Sequence, residues 1–218
     1  MYRACIFDLD GTLADTLHSI AWFGNTAMAK FGLPAIGDER YKLLVGNGAD
    51  TLMRRMLAEV GAEFTEEQLA ALRREYDFLY ESQPMKLVTR YDGLLEGLTR
   101  LHGQGMRLGV LSNKPDNMTR HIAGELYGGL LDAVRGQRAG VPKKPDPTAV
   151  LEMAAGFGLS PEEILYVGDS GVDMETGRNA GMDTCGVLWG FRSREELVEH
   201  GAKFLAGTAE ELVRIAGC

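Results

Sequence analysis

Histidine, cysteine and long apolar runs are scarce in this sequence. The four histidines, His18, His102, His121 and His200, show no metal-ligand spacing, which removes a histidine-based metal centre from consideration. The three cysteines, Cys5, Cys185 and Cys218, are odd in number, far apart and form no CxxC pair. That excludes a disulfide framework and fits a reducing compartment. No stretch approaches the ~18 apolar residues of a membrane span. The apolar run in "MYRACIFDLD" is too short for a signal peptide. These absences predict a cytoplasmic protein with no membrane partner. A basic surplus is also missing: Lys+Arg number 23 against 31 Asp+Glu, for a net charge of -8, which argues against a nucleic-acid partner. There is no internal repeat and no low-complexity segment.

What is present is an ordinary globular composition, 218 residues with 45% hydrophobic, enough for one domain or one domain with an insertion. Four short apolar runs end in Gly, Asp, Asn or Ser: "YRACIFDL" (2–9), "MRLGVLSN" (106–113), "EEILYVGD" (162–169) and "DTCGVLWG" (183–190). They read as buried strands. Helical patterns separate them. "LLEGLTRLHGQG" (94–105) places Leu94, Leu98 and Leu101 on one face, and "DPTAVLEMAAGFG" (146–158) has Pro at its first turn and Gly at its end. Strands alternating with helices imply an α/β fold with a Rossmann-like parallel sheet.

Residues 15–85 carry helical patterns and no convincing strand. Leu17, Ile20, Ala21, Gly24, Ala27, Met28 and Phe31 follow one helical spacing; Leu52, Met53, Met56, Leu57 and Val60 follow another. Thr65 and Gln68 form a capping-box pattern ahead of a third helix. The expected organisation is a core of residues 1–14 and 86–218 with an inserted α-helical unit, 15–85. Its hinges fall near Ala14–Asp15 and Gln83–Lys86.

Ligands of open parallel sheets bind outside the carboxyl ends of the strands. Those ends here carry Asp8 and Asp10, then Ser112 and Asn113, then Asp169, Ser170 and Asp173, with Lys144 in "PKKPDP" just before a helix. Asp8 and Asp10 are two acids that resist burial unless their charge is compensated. Such a set suits attack on a phosphate monoester. A carboxylate nucleophile meeting a dianion needs a divalent metal, and hard Mg2+ takes oxygen ligands such as Asp8, Asp10 and Asp169. A Lys and a hydroxyl steady the transferred group, and a second acid handles the leaving-group and water protons. In an acidic chain, such a site must be locally positive.

"FDLDGTLADT", "VLSNK", "KKPDP" and "YVGDSGVDMETGRNAG" resemble, in order and across essentially the whole chain, the four motifs of the haloacid dehalogenase superfamily. The resemblance implies that Asp8 is the nucleophile and a metal ligand. It makes Asp10 the acid/base, its backbone carbonyl also ligating metal. Ser112 with Asn113 holds the phosphoryl group, and Lys144, directly before Pro145, neutralises it and Asp8. Asp169 binds Mg2+, and Asp173 supports the metal site from behind. Asp10 points to the phosphatase and phosphomutase branches, because the dehalogenases lack that acid and the transport ATPases place Thr there. The insertion resembles the superfamily's small helical cap, and "LLVGNGADTLMRRML" (43–57) is similar to the same stretch of bacterial phosphoglycolate phosphatases. Gly46, Asn47 and Gly48, leading into a helix, would then meet the substrate's carboxylate with backbone N–H groups. The rival is a β-phosphoglucomutase-like enzyme, whose His is replaced here by Ile20; sugar phosphates, nucleotides and pyrophosphate are the other substrate classes. The partner is a small phosphorylated metabolite, the chain a monomer or homodimer. Arg54, Arg55 and His18 read as solvated helix positions.

Overall fold

In the computed structural model, which describes residues 2–217, the chain forms two compact units. One holds the residues up to Asp15 and from Thr89 onward; the other is Thr16–Val88. In chain order the first elements are β1 (Ala4–Phe7), β2 (Ala14–Asp15), α1 (Leu17–Lys30), α2 (Asp38–Leu44), α3 (Ala49–Glu59), α4 (Glu66–Ser82), β3 (Thr89–Arg90) and α5 (Leu94–Gly103). They are followed by β4 (Arg107–Pro115), α6 (Asp116–Tyr127), β5 (Ala133–Gln137), α7 (Thr148–Phe157), β6 (Ile164–Gly168) and α8 (Gly171–Asn179). The last are β7 (Asp183–Val187), α9 (Arg194–Glu199), β8 (Phe204–Ala206) and α10 (Ala209–Gly217).

The core unit is a six-stranded parallel sheet in the order β5-β4-β1-β6-β7-β8. β1 is central and wholly buried, as an apolar ACIF run must be when helices cover both faces. Ile6 packs with Val150 and Met153 of α7 and with Tyr166 of β6. Cys5 and Cys185 are buried and free. The ladder continues past β1, where the Asp8 N–H donates to the Val167 carbonyl at 2.9 Å. This extra rung carries Asp8 to the sheet's carboxyl edge.

Two strands of the six-stranded sheet have no counterpart among the apolar runs read in the sequence. β5, AVRGQ, is an edge strand, half-buried apart from Gly136, and β8 has only three residues. Short β2 and β3 pair antiparallel, Ala14 with Arg90 and Asp15 with Thr89. That pairing ties both segments to the core, so the division between units falls after Asp15 and after Val88.

The Thr16–Val88 unit is a four-helix cluster. The apolar stripe of α1 is buried at Leu17, Ile20, Ala21, Phe23, Ala27 and Met28. Phe23 stacks on Tyr80 of α4 at 4.5 Å, and Met53 and Met56 of α3 are fully buried. Thr65 and Gln68 close the expected capping box. Among the described residues, no helix is long and apolar enough to cross a membrane.

Candidate active site

The carboxyl edge of the sheet collects the charged residues of the core. β1 lies between β4 and β6, so the three strand ends that carry polar residues are adjacent. Beyond β1 the chain winds into a tight loop: the Leu9 carbonyl accepts from the N–H groups of Thr12, Leu13 and Ala14 at 2.9–3.2 Å. Gly11 has φ +85°, and a Cβ there would strike the Asp169 carboxylate. The same holds at Gly190, where a Cβ would meet the Asp169 Cβ. Only glycine fits where the backbone approaches this closely.

Lys144 is the hub. Its Nζ lies 2.9 Å from Asp8 Oδ1 and 2.8 Å from Asp173 Oδ1, and its side chain is 3% exposed. Burial works against the ammonium, but Asp173 and Asp8 outweigh it and hold its pKa well above the ordinary lysine value. Asp173 is held from its other oxygen, where Oδ2 accepts from the Ser170 N–H at 3.1 Å and the Ser170 hydroxyl at 2.6 Å. Asp173 thus closes the first turn of α8 and faces Lys144 at once.

Asp169 follows β6. Its Oδ1 accepts from the Thr12 hydroxyl at 3.1 Å and its Oδ2 from the Phe191 N–H at 2.8 Å. Asp8, Asp169 and Asp173 offer oxygen atoms within 4.8 Å of one another. Burial pushes Asp8 up to about 7, against Lys144 and with help from Asp173 and Asp10. Burial, then Asp173 and Asp8, push Asp169 up to about 8. Three clustered, hard oxygen donors at this cost in repulsion fit a divalent cation. The charge balance agrees: four carboxylates, those of Asp8, Asp10, Asp169 and Asp173, face two buried ammonium groups.

The second ammonium is Lys114, to which sequence reasoning assigned no role. Its Nζ contacts both oxygens of Asp10, at 3.0 and 3.2 Å. The signal was in "VLSNK", two residues past Ser112, but a lysine near a strand end reads as solvated until its neighbour across the sheet is known. Ser112 is buried, and its Oγ accepts from the Lys114 N–H at 3.3 Å. Asn113 spends its side-chain amide on Lys144: Oδ1 accepts from the Lys144 N–H at 2.9 Å and Nδ2 donates to the Lys144 carbonyl at 3.2 Å. Thr12, Trp189 and the Phe191 N–H were also not foreseen. Trp189 pins the first loop by donating from Nε1 to the Thr12 carbonyl at 3.0 Å.

Asp8, Asp10, Ser112, Asn113, Lys144, Asp169 and Asp173 are therefore assembled in the core unit. Gly46, Asn47 and Gly48 belong to the helical unit, in the loop between α2 and α3. Gly46 and Gly48 have φ of 128° and 87°. Asn47 Oδ1 accepts from Arg55 Nη2 at 2.8 Å, and Arg55 Nη1 donates to the Leu44 carbonyl at 3.0 Å. Arg55 is thus part of the loop's framework rather than a solvated position. Arg54 does lie on an exposed face, paired with Glu66, and exposed His18 pairs with Asp38.

A doubly wound α/β sheet with acids and lysines gathered at its strand ends defines an enzyme of the Rossmann-like class. Residues 5–187 match the haloacid dehalogenase-like hydrolase family, and the chain belongs to it. It is 32% identical over 217 residues to a phosphoglycolate phosphatase of Mannheimia succiniciproducens, covering 96% of each chain. A phosphoglycolate phosphatase of Pasteurella multocida is 33% identical over 201 residues, 88% of each. A solved structure of a predicted phosphoglycolate phosphatase from Haemophilus somnus aligns with a TM-score of 0.92 at 27% identity, over 98% of this chain and 97% of that one.

Proposed function

We propose that this hydrolase is a Mg2+-dependent phosphatase whose preferred substrate is 2-phosphoglycolate. The observation that carries the reading is the buried Asp8–Lys144–Asp173–Asp169 cluster in a chain similar, end to end, to phosphoglycolate phosphatases.

Asp8 Oδ attacks phosphorus and the bond to the glycolate oxygen breaks. The departing alkoxide takes a proton from Asp10. Water then attacks the aspartyl-phosphate, returning a proton to Asp10 and releasing phosphate from Asp8. Lys144 and the Ser112 hydroxyl offset the charge on the transferred oxygens. Asn113 holds the Lys144 peptide in place. Asp8, Asp169 and the Asp10 carbonyl would hold Mg2+, which supplies charge neutralisation between nucleophile and dianion when bound. Asp173 supports the metal site by fixing Lys144. The helical unit, 16–88, is assigned the role of a cap that confers specificity, with N–H groups of Gly46, Asn47 and Gly48 for the substrate carboxylate. Ile20, where the mutase-like relatives carry His, is buried apolar core of α1, which favours the phosphatase.

The test is phosphate release with Mg2+ from 2-phosphoglycolate, hexose phosphates, nucleotides and pyrophosphate. The expected result is a kcat/KM for 2-phosphoglycolate about tenfold or more above the others, the equivalent of ~1.4 kcal/mol of transition-state preference. Isomerisation of a hexose 1-phosphate without net phosphate release would replace this reading with a mutase.

A further inference from the structure

We infer that Lys114 is a positioning residue for the proton transfers of Asp10, an assignment that rests on the phosphatase reading above. Three observations fix Lys114 in place. Its N–H donates to Ser112 Oγ at 3.3 Å, and its carbonyl accepts from the Thr119 hydroxyl at 3.2 Å. A Cβ at Gly136 of β5 would collide with that same carbonyl, so the neighbouring strand packs directly on it. The side chain is 6% exposed and ends on both Asp10 oxygens, at 3.0 and 3.2 Å. Asp10 follows β1 in a loop whose backbone is closed by its own hydrogen bonds, including Gly11 N–H to the Ala14 carbonyl at 2.9 Å. Its carboxyl group still turns about two side-chain torsions, and two contacts from one fixed ammonium remove that freedom.

The division of labour between the lysines follows from the distances. Lys144 serves Asp8 and Asp173, whereas Lys114 serves Asp10. A carboxylate oxygen has two lone pairs, so a single Lys114 contact does not by itself exhaust the proton-accepting capacity of either Asp10 oxygen. Lys114 keeps its own protons throughout. The proton given to the alkoxide leaves Asp10 in the first step and comes back from water in the second.

A positioning role has a signature that phosphate binding lacks. An alkoxide cannot leave without a proton, but a carboxylate can. Acetyl phosphate is about the size of 2-phosphoglycolate and releases acetate. General acid catalysis contributes about 10²–10⁴-fold where it is needed. Lys114→Met should therefore lower the ratio of kcat/KM for 2-phosphoglycolate to that for acetyl phosphate by ~30- to 100-fold. Asp10→Asn should move the ratio the same way, and Lys114→Arg should restore part of it. This ratio does not depend on how much of a variant is folded. If Lys114→Met slows both substrates alike, Lys114 acts on the phosphoryl group or on the fold and the inference is overturned. A wild-type ratio in the Lys114 variants, with Asp10→Asn still shifted, overturns it too and leaves the phosphatase reading intact. A wild-type protein that releases phosphate from neither compound would overturn the phosphatase reading itself.

Discussion

At the residue scale, one ammonium between two carboxylates decides how Asp8 can act. Lys144 offsets the charge of Asp8, the proposed nucleophile, against a burial that favours its protonated form. Its own position depends on Asn113, whose amide bonds both the N–H and the carbonyl of Lys144. Asn113→Ala removes two buried hydrogen bonds worth about 1 kcal/mol each. The expected outcome is a Tm lower by several degrees and kcat reduced about tenfold; calorimetry and steady-state kinetics check both. Asp8, Asp10, Ser112, Lys144 and Asp169 were legible in the sequence because each ends an apolar run or sits in an ordered motif. The side-chain partners were not. Nothing along the chain says that Asn113 faces Lys144 or that Lys114 faces Asp10, since those contacts join segments about 30 and 104 positions apart. Asp173 shows the limit well: its spacing from Ser170 marks a helix start, and only the fold adds Lys144.

At the scale of elements, the parallel order β4-β1-β6 turns three strand ends into one site. The strong runs predicted those strands because burial on both faces demands continuous apolar residues. β5 and β8 lie at the sheet's two edges, and weaker burial there leaves weaker patterns. In the helical unit, the α2–α3 loop is framed by Arg55, which reads as one more exposed cation until its acceptors at Leu44, Val45 and Asn47 are seen. Arg55→Met should loosen the loop that is assigned to the substrate carboxylate. KM for 2-phosphoglycolate should rise about five- to tenfold, the effect of ~1 kcal/mol, while kcat changes little. An unchanged KM would remove the loop from substrate recognition.

At the scale of the whole molecule, a net charge of -8 encloses a cluster in which four carboxylates outnumber two lysines. The metal-free protein therefore carries a pH signature. Asp8 and Asp169 titrate near 7 and 8 when folded, both above the ordinary 3.8. Between roughly pH 4 and 8 the folded state binds more protons than the unfolded state, so these two groups lower stability as pH rises. With chelator present, these two groups should make Tm fall from about pH 4.5 to about pH 8, and Asp169→Asn should flatten that slope. Added Mg2+ should raise Tm more at the higher pH, because it binds the deprotonated carboxylates. A metal-free Tm that climbs with pH, with the same slope in Asp169→Asn, would contradict this electrostatic account.

In the proposed mechanism Asp8 becomes phosphorylated. Acid quench of a single turnover, followed by peptide mass analysis, reads it directly. The prediction is one phosphoryl group on the peptide containing Asp8, longer-lived in Asp10→Asn, with no label and turnover reduced by about 10⁴-fold or more in Asp8→Asn. Full turnover by the Asp8→Asn protein, or a phosphoryl group carried on a different residue, would rule out Asp8 as the nucleophile.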